Sequence, residues 1–232
     1  MDKLLIITGG SRGIGLAAAD LFSKDNYRVI NLSRTNTRQS AAEHIASDFS
    51  DPSWALNIKA SLLDFIGQPD QISLIHNAAT MVKDDIRKAP DFSEVLQVNL
   101  VAPQQLNELV IPLMKKGSSI LYVGSTLSKK AVSNTLTYSA SKHGLLGLMR
   151  ATTQDLFGAG IHTACIRPGF TDTEMLRSHV GDDPETLNVL VQSNAFGRLV
   201  KPEEIATTLK FCADNPAING TSIDANLGQK EF

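Results

Sequence analysis

The chain alternates between short apolar runs and longer segments with helical periodicity. The apolar runs predict seven buried strands, at Leu4–Thr8, Arg28–Leu32, His44–Ser47, Ser73–His76, Ser119–Val123, His162–Ile166 and Thr221–Asp224. Apolar residues at helical spacing predict helices at Gly13–Lys24, Pro52–Ile66, Asp91–Met114, Thr137–Phe157 and Pro202–Ala213. This alternation predicts an α/β fold with a doubly wound parallel sheet of about seven strands and helices on both faces. The site is then expected at the carboxyl ends of the strands.

Composition narrows the class of protein. A length of 232 residues, 42% of them hydrophobic and 20% charged, predicts one soluble domain over residues 1–232. A net charge of −2 with no basic block argues against a nucleic-acid surface, and no apolar run has the length of a membrane span. Cys165 and Cys212 lie in apolar surroundings and are expected to be buried, reduced thiols, which favours a cytoplasmic location. No Cys/His cluster has metal-ligand spacing, so no metal is predicted.

A glycine-rich turn, Thr8-Gly9-Gly10-Ser11-Arg12-Gly13-Ile14-Gly15, joins the first predicted strand to the first predicted helix. A strand, a glycine turn and a helix N-terminus together direct backbone N–H groups toward a phosphate. Gly9 can adopt a turn conformation closed to other residues, and Gly13 and Gly15 let the backbone approach a pyrophosphate. An ordinary tight turn is the alternative, but the flanking strand and helix favour nucleotide binding.

The end of the second strand bears on the choice of nucleotide. An NAD site usually has an acidic residue there, whereas this chain has Ser33 followed by Arg34, a permanent cation suited to a 2′-phosphate. Arg12 can reach the same phosphate. NADP(H) is therefore predicted over NAD(H), the alternative being two solvated surface arginines. Asp48, after the short third strand, is a candidate for the adenine amino group or a loop cap.

Tyr138 and Lys142 are four residues apart on one face of a predicted helix. A neighbouring cation favours phenolate, so Lys142 is expected to lower the pKa of Tyr138 toward the range of a general acid/base. Ser125 ends the fifth strand beside that helix, where its hydroxyl could hold a carbonyl oxygen. Each residue alone has an ordinary structural alternative, and the constellation is what favours catalysis.

Asn99 is a polar residue on the apolar face of the third predicted helix and needs a partner there. Pro103, four residues later, lacks the N–H that would bond the Asn99 carbonyl, so the helix is expected to kink. The free carbonyl could hold a water on a proton path to Lys142. A purely structural kink is an equal alternative.

The glycine turn and the candidate residues above resemble the short-chain dehydrogenase/reductase family, in its single-domain, NADP-preferring form. They occur in the same order as in that family and span nearly the whole chain. The match includes Asn77-Ala78-Ala79 and Pro168-Gly169 with Thr173. The resemblance implies an NAD(P)-dependent oxidoreductase with a tetrad of Asn99, Ser125, Tyr138 and Lys142. It also implies cofactor contacts by Gly9, Ser11, Arg12, Gly13, Ile14, Ser33, Arg34, Asp48, Asn77, Ala78, Tyr138, Lys142, Pro168, Gly169, Thr171 and Thr173.

A carbonyl or secondary-alcohol substrate follows from the resemblance, and its identity stays open. Residues 173–196 are predicted to form a substrate-binding insertion, with Met81 nearby.

A line of small residues on the Tyr138 helix, Ala140, Gly144, Gly147 and Ala151, favours close helix pairing in a homodimer or homotetramer. Two other functions remain: a non-catalytic NAD(P)-binding regulator on the same fold, and an isomerase or dehydratase that uses the nicotinamide transiently.

Overall fold

One seven-stranded parallel sheet runs through this computed structural model, which describes residues 1–36, 42–181 and 183–230. Asp182, in the predicted insertion, and residues 37–41 and 231–232 of the predicted domain lie outside that part. The strands are β1 Lys3–Thr8, β2 Tyr27–Ser33, β3 Glu43–Ala46, β4 Gln71–His76, β5 Ser119–Val123, β6 His162–Pro168 and β7 Thr221–Ala225. All seven predicted strands are present, and their order across the sheet is β3-β2-β1-β4-β5-β6-β7.

Eight α-helices connect or flank the strands in the described ranges. They are α1 Gly13–Lys24, α2 Trp54–Ile66, α3 Phe92–Leu96, α4 Ala102–Val110, α5 Leu136–Asp155, α6 Glu174–Val180, α7 Pro184–Gln192 and α8 Pro202–Asp214. Two of them, α6 and α7, lie in the predicted insertion.

The helix predicted at Asp91–Met114, with a kink at Asn99, is present over residues 92–113, but it is not α-helical throughout. A π-helical turn, Gln97–Val101, separates α3 from α4, and the Ala102 N–H donates to the Gln97 carbonyl five residues back. Pro103 explains the break, because it has no N–H with which to continue the four-residue ladder. The predicted irregularity at Asn99 is therefore present, as a widened turn.

Helices cover both faces of the sheet. Alternate residues of β1 enter two separate cores: Leu4 and Ile6 pack on the face of α2, α4 and α5, while Leu5 and Ile7 pack with residues of α1 and α8. The buried residues Ala18 and Phe22 of α1 follow its helical period. Burial on both faces explains why the central strands are mainly apolar, and it confirms the predicted fold class.

The order of the strands places the site. From β1 the chain proceeds outward in one direction to β2 and β3 and in the other to β4 and β5, so a crevice opens at the carboxyl ends of β1 and β4.

Cys165 and Cys212 are buried free thiols, as predicted. Within residues 1–36, 42–181 and 183–230, no helix has the length and apolarity to cross a membrane. The same ranges contain no group of three or more His, Cys, Asp or Glu side chains arranged to hold a metal ion.

Candidate active site

The glycine turn between β1 and α1 is as tight as its sequence suggests. Gly9 and Gly13 have positive φ values of +69° and +52°, a region that L side chains rarely adopt. A side chain at Gly15 would collide with the Gly9 carbonyl oxygen, and one at Gly13 would approach Thr173 Cγ2 to 3.1 Å. Arg12, the N-cap of α1, makes no side-chain capping bond within the described residues. The first N–H groups of α1 therefore face the crevice without a side-chain cap.

Two side-chain amides, the half-buried Asn77 and the buried Asn31, hold this turn against the sheet. Asn77, just after β4, donates from Nδ2 to the carbonyl oxygens of Thr8 (3.0 Å) and Gly9 (3.1 Å). The N–H groups of Asn77 and Ala78 both donate to Thr8 Oγ1, each at 2.9 Å. On the other side, the Gly10 N–H donates to Asn31 Oδ1 at 2.8 Å. Sequence reasoning did not single out Asn31, although an amide in an otherwise apolar strand is a signal for such a role.

Two hydroxyl groups lie where β2 meets the glycine turn. Ser33 Oγ and Ser11 Oγ are 2.7 Å apart, and Ser33 also donates to the Thr35 carbonyl at 2.9 Å. Arg34 is exposed at the rim. Asp48, also exposed, accepts bonds from the Ser50 N–H (3.1 Å) and hydroxyl (2.7 Å), which lower the pKa of its carboxyl group. Its observed contacts are those of a loop cap, the structural alternative for this residue.

Arg12 makes a contact that the sequence did not indicate. Its Nη1 lies 2.6 Å from Oε2 of Glu174, the first residue of α6, although 162 positions separate the two in the chain. Both side chains are largely exposed, at 61% and 70%. Arg12, which the sequence predicts to bind a phosphate, is thus paired with a carboxylate of the predicted insertion.

Ser125, Tyr138 and Lys142 come together at the carboxyl end of β5. Ser125 lies two residues beyond the end of that strand, instead of ending it as predicted, and caps a short 3₁₀ turn, Thr126–Ser128, by accepting the Leu127 N–H at 3.1 Å. Tyr138 and Lys142, in the first turns of α5, are buried, and Lys142 Nζ lies 5.6 Å from the centre of the Tyr138 ring. The ammonium group donates to the Val123 carbonyl at 2.8 Å.

Burial dominates the electrostatics of this group. It raises the pKa of Tyr138 to about 12, while a hydrogen bond with Ser125 acts in the opposite direction. Burial also lowers the pKa of Lys142 to about 8. Ser125, rather than Lys142, is the group that opposes this effect of burial, and the pKa of Tyr138 lies above its ordinary value instead of below it as the sequence predicted. The phenol is a protonated group at neutral pH.

Asn99, in the π-helical turn, is buried and has its amide fully engaged. Its Oδ1 accepts the Thr80 N–H at 2.8 Å, and its Nδ2 donates to the Thr80 carbonyl (2.8 Å) and to Ser141 Oγ (3.0 Å). Ser141 in turn donates to the Tyr138 carbonyl at 2.7 Å. The amide thus joins the segment after β4 to the first turn of α5, while the Asn99 backbone carbonyl lacks its usual partner because of Pro103.

The segment after β6 closes the other side of the crevice. Gly169 is packed so tightly that a side chain there would approach Asn226 Cα to 2.9 Å, and Thr171 donates to the Gly169 carbonyl at 3.0 Å. Thr173 caps α6 by accepting the Leu176 N–H at 3.3 Å. The far end of α6 reaches across the crevice, where His179 Nε2 lies 2.8 Å from the Met81 carbonyl.

These predicted site residues occupy one edge of the sheet in two groups. The first surrounds the glycine turn and β2, and the second comprises Asn99, Ser125, Tyr138 and Lys142 together with the segment that begins at Pro168. Asp48 lies at the periphery. Sequence reasoning missed Asn31, Thr80, Ser141 and Glu174, whose roles depend on contacts between distant parts of the chain.

A comparison with protein families identifies the scaffold. The family model described as short chain dehydrogenase matches residues 3–183. The chain belongs to the short chain dehydrogenase family. It is therefore an oxidoreductase of that family, with a Rossmann-like sheet.

Relatives of this short chain dehydrogenase match it over almost their whole length. Carbonyl reductase family member 4 of Xenopus laevis is 28% identical over 229 residues, which cover 95% of this chain and 94% of the relative. The 3-oxoacyl acyl-carrier-protein reductase FabG of Vibrio cholerae is 29% identical over 241 residues, with 97% and 96% covered.

Solved structures agree with the fold. The ligand-free aldohexose dehydrogenase of Thermoplasma acidophilum has a TM-score of 0.90 at 26% identity, with 98% of this chain and 93% of that chain covered. A short chain dehydrogenase of Burkholderia cenocepacia, in complex with NADP, has a TM-score of 0.85 at 25% identity, with 97% of both chains covered.

Proposed function

We propose that this short chain dehydrogenase is an NADP(H)-dependent oxidoreductase that interconverts a carbonyl group and a secondary alcohol, and that it works chiefly as a carbonyl reductase. The observation that carries the proposal is the group formed at the carboxyl end of β5 by the half-buried Ser125 and the buried Tyr138 and Lys142. The Tyr138 hydroxyl is the proposed proton donor that carbonyl reduction requires, and Lys142 Nζ lies 5.6 Å from the centre of its ring, close enough to favour the phenolate that forms. The relatives named as carbonyl reductase and FabG reductase support the same class of reaction.

The crevice fits a nicotinamide dinucleotide. A side chain at Gly13 would approach Thr173 Cγ2 to 3.1 Å, and the N-terminus of α1 has no side-chain cap within the described residues, which leaves its N–H groups available to a pyrophosphate. Ser11, Ser33 and Arg34, where β2 meets the glycine turn, are the proposed ligands of the 2′-phosphate of NADP(H), together with Arg12. The NADP complex of the Burkholderia cenocepacia relative supports this assignment. Asn77, Ala78, Pro168, Gly169, Thr171 and Thr173 complete the proposed binding site, with Asp48 at the adenine end.

When bound, the reduced nicotinamide supplies the hydride that converts a carbonyl carbon to an alcohol carbon. The Ser125 hydroxyl donates a hydrogen bond to the substrate oxygen, and the Tyr138 hydroxyl gives that oxygen its proton. The Lys142 ammonium stabilises the phenolate left behind, since a cation beside the ring favours the ionised form. The Asn99 carbonyl holds a water through which the proton is replaced.

The rest of the proposal concerns substrate, assembly and location. Residues 173–196 form a wall of the substrate pocket, and α6, which bridges the crevice from Glu174 to His179, supports that role. The protein acts as a homodimer or homotetramer in the cytoplasm. Ala140, Gly147 and Ala151 are exposed on α5, which supports pairing of this helix between subunits.

Tyr138→Phe tests the catalytic assignment, because it removes only the hydroxyl group. Turnover of a panel of aldehydes and ketones with NADPH should fall at least about a hundredfold, the scale of a general acid. The Kd for NADPH, measured by its fluorescence, should stay within about threefold. Ser125→Ala should also reduce turnover and leave the Kd unchanged. Retained activity in Tyr138→Phe would refute the assignment, and binding of NADPH without turnover of any carbonyl by the unmutated protein would favour the non-catalytic regulator.

A further inference from the structure

We infer that Glu174 is a specificity-determining residue that opposes NADP(H) selectively by holding Arg12. The inference rests on the proposed function, in which Arg12 binds the 2′-phosphate. The observation behind it is the 2.6 Å contact between Arg12 Nη1 and Glu174 Oε2. Arg12 is the N-cap of α1, inside the glycine turn, and Glu174 is the first residue of α6.

The contact is part of a wider junction between the turn and the insertion. Thr173, next to Glu174, lies so near the turn that a side chain at Gly13 would approach Thr173 Cγ2 to 3.1 Å. Thr173 also caps α6, which fixes the direction in which Glu174 leaves the backbone. The His179 contact with the Met81 carbonyl holds the opposite end of the helix. Glu174 is therefore held beside Arg12 by the packing of α6.

One guanidinium must then serve two anions. A 2′-phosphate competes with the Glu174 carboxylate for the Arg12 donors, because both prefer the same paired hydrogen bonds. A nucleotide with a free 2′-hydroxyl has no such need of Arg12 and leaves the ion pair intact. The contact thus lowers the affinity for NADP(H) and leaves that for NAD(H) unchanged.

The size of the effect follows from exposure. Because both side chains are largely solvated, at 61% and 70%, the pair has the strength of an exposed ion pair. Glu174→Gln should therefore lower the Kd for NADPH by about two- to fivefold. The Kd for NADH should not change, so the ratio of the two constants shifts by the same factor.

The experiment is a double-mutant cycle on cofactor binding, followed by nucleotide fluorescence without substrate. It compares the unmutated protein, E174Q, R12Q and the double variant, each titrated with NADPH and with NADH. Glu94→Gln is the matched control, since Glu94 is another exposed glutamate in the first turn of a short helix. We expect tighter NADPH binding in E174Q, weaker binding in R12Q, no effect of E174Q in the R12Q background, and no change in E94Q.

The outcomes separate the inference from the proposed function. If neither nucleotide binds the unmutated protein, or if R12Q leaves NADPH binding unchanged, the proposed role of Arg12 fails and the inference fails with it. If R12Q weakens NADPH binding but E174Q does not strengthen it, only the inference is overturned. If E174Q still strengthens NADPH binding in the R12Q background, the inference is also overturned. The Glu174 carboxylate would then weaken NADPH binding by its own charge and not by holding Arg12.

Discussion

Replacement of Asn99 by leucine tests how strongly the π-helical turn depends on one buried amide. The side chain is 1% exposed and bonds both the N–H and the carbonyl of Thr80, each at 2.8 Å. Leucine has the same number of side-chain heavy atoms, branched at the same carbon, but can make neither bond. Ser141, the third partner, keeps its own bond to the Tyr138 carbonyl.

The expected loss of stability comes from the two Thr80 backbone groups. An unsatisfied buried polar group costs about 1–3 kcal/mol, and because Thr80 is only half-buried we expect a total of about 2–4 kcal/mol. In a protein of this length that loss lowers the Tm by roughly 4–16 °C. The free energy gained by burying the apolar leucine side chain is small compared with this loss, because Asn99 is surrounded by polar groups of Thr80 and Ser141.

Urea unfolding followed by the fluorescence of Trp54 measures this loss directly. Trp54 is the only tryptophan and is 2% exposed, so its emission should shift when the core opens. Asn188→Leu, at an exposed position of α7, is the control for the chemical change and should leave the free energy of unfolding within about 0.5 kcal/mol. A loss below about 1 kcal/mol in Asn99→Leu would refute the reasoning, because the Thr80 bonds would then contribute little.

Two further predictions concern the cofactor and the assembly. Arg34→Asp should weaken NADPH binding more than tenfold in a fluorescence titration, since it removes a charge-assisted bond and adds a repulsion. Equal Kd values for NADPH and NADH in the unmutated protein would contradict the proposed preference. Gly147→Arg should break the proposed oligomer in light scattering, because a side chain at Gly147 meets open space within its own subunit and would project into a partner helix. An oligomer unchanged by this substitution would exclude Gly147 from the interface.

Short-range patterns determined most of the fold. Strands show as apolar runs because a parallel sheet covered on both faces buries nearly every residue of its central strands, and helices show as a period of 3.6. The glycine turn is equally local, since the positive φ values of Gly9 and Gly13 depend only on the absence of a side chain. Pro103 belongs to this class too: its missing N–H predicted an irregular helix at Asn99. The π-helical form of that irregularity was settled by packing.

Long-range contacts decided the chemistry of the site. The sequence places Tyr138 and Lys142 on one helix face, but the depth of burial raises the pKa of Tyr138 to about 12, and depth depends on the whole sheet and its helices. Likewise, an exposed arginine in a glycine turn is visible in the sequence, whereas its partner Glu174 lies 162 residues away. Periodicity and turn chemistry act over a few residues and can be inferred from the chain. Desolvation and ion pairing act through space, so they exist only once the tertiary structure brings distant segments together.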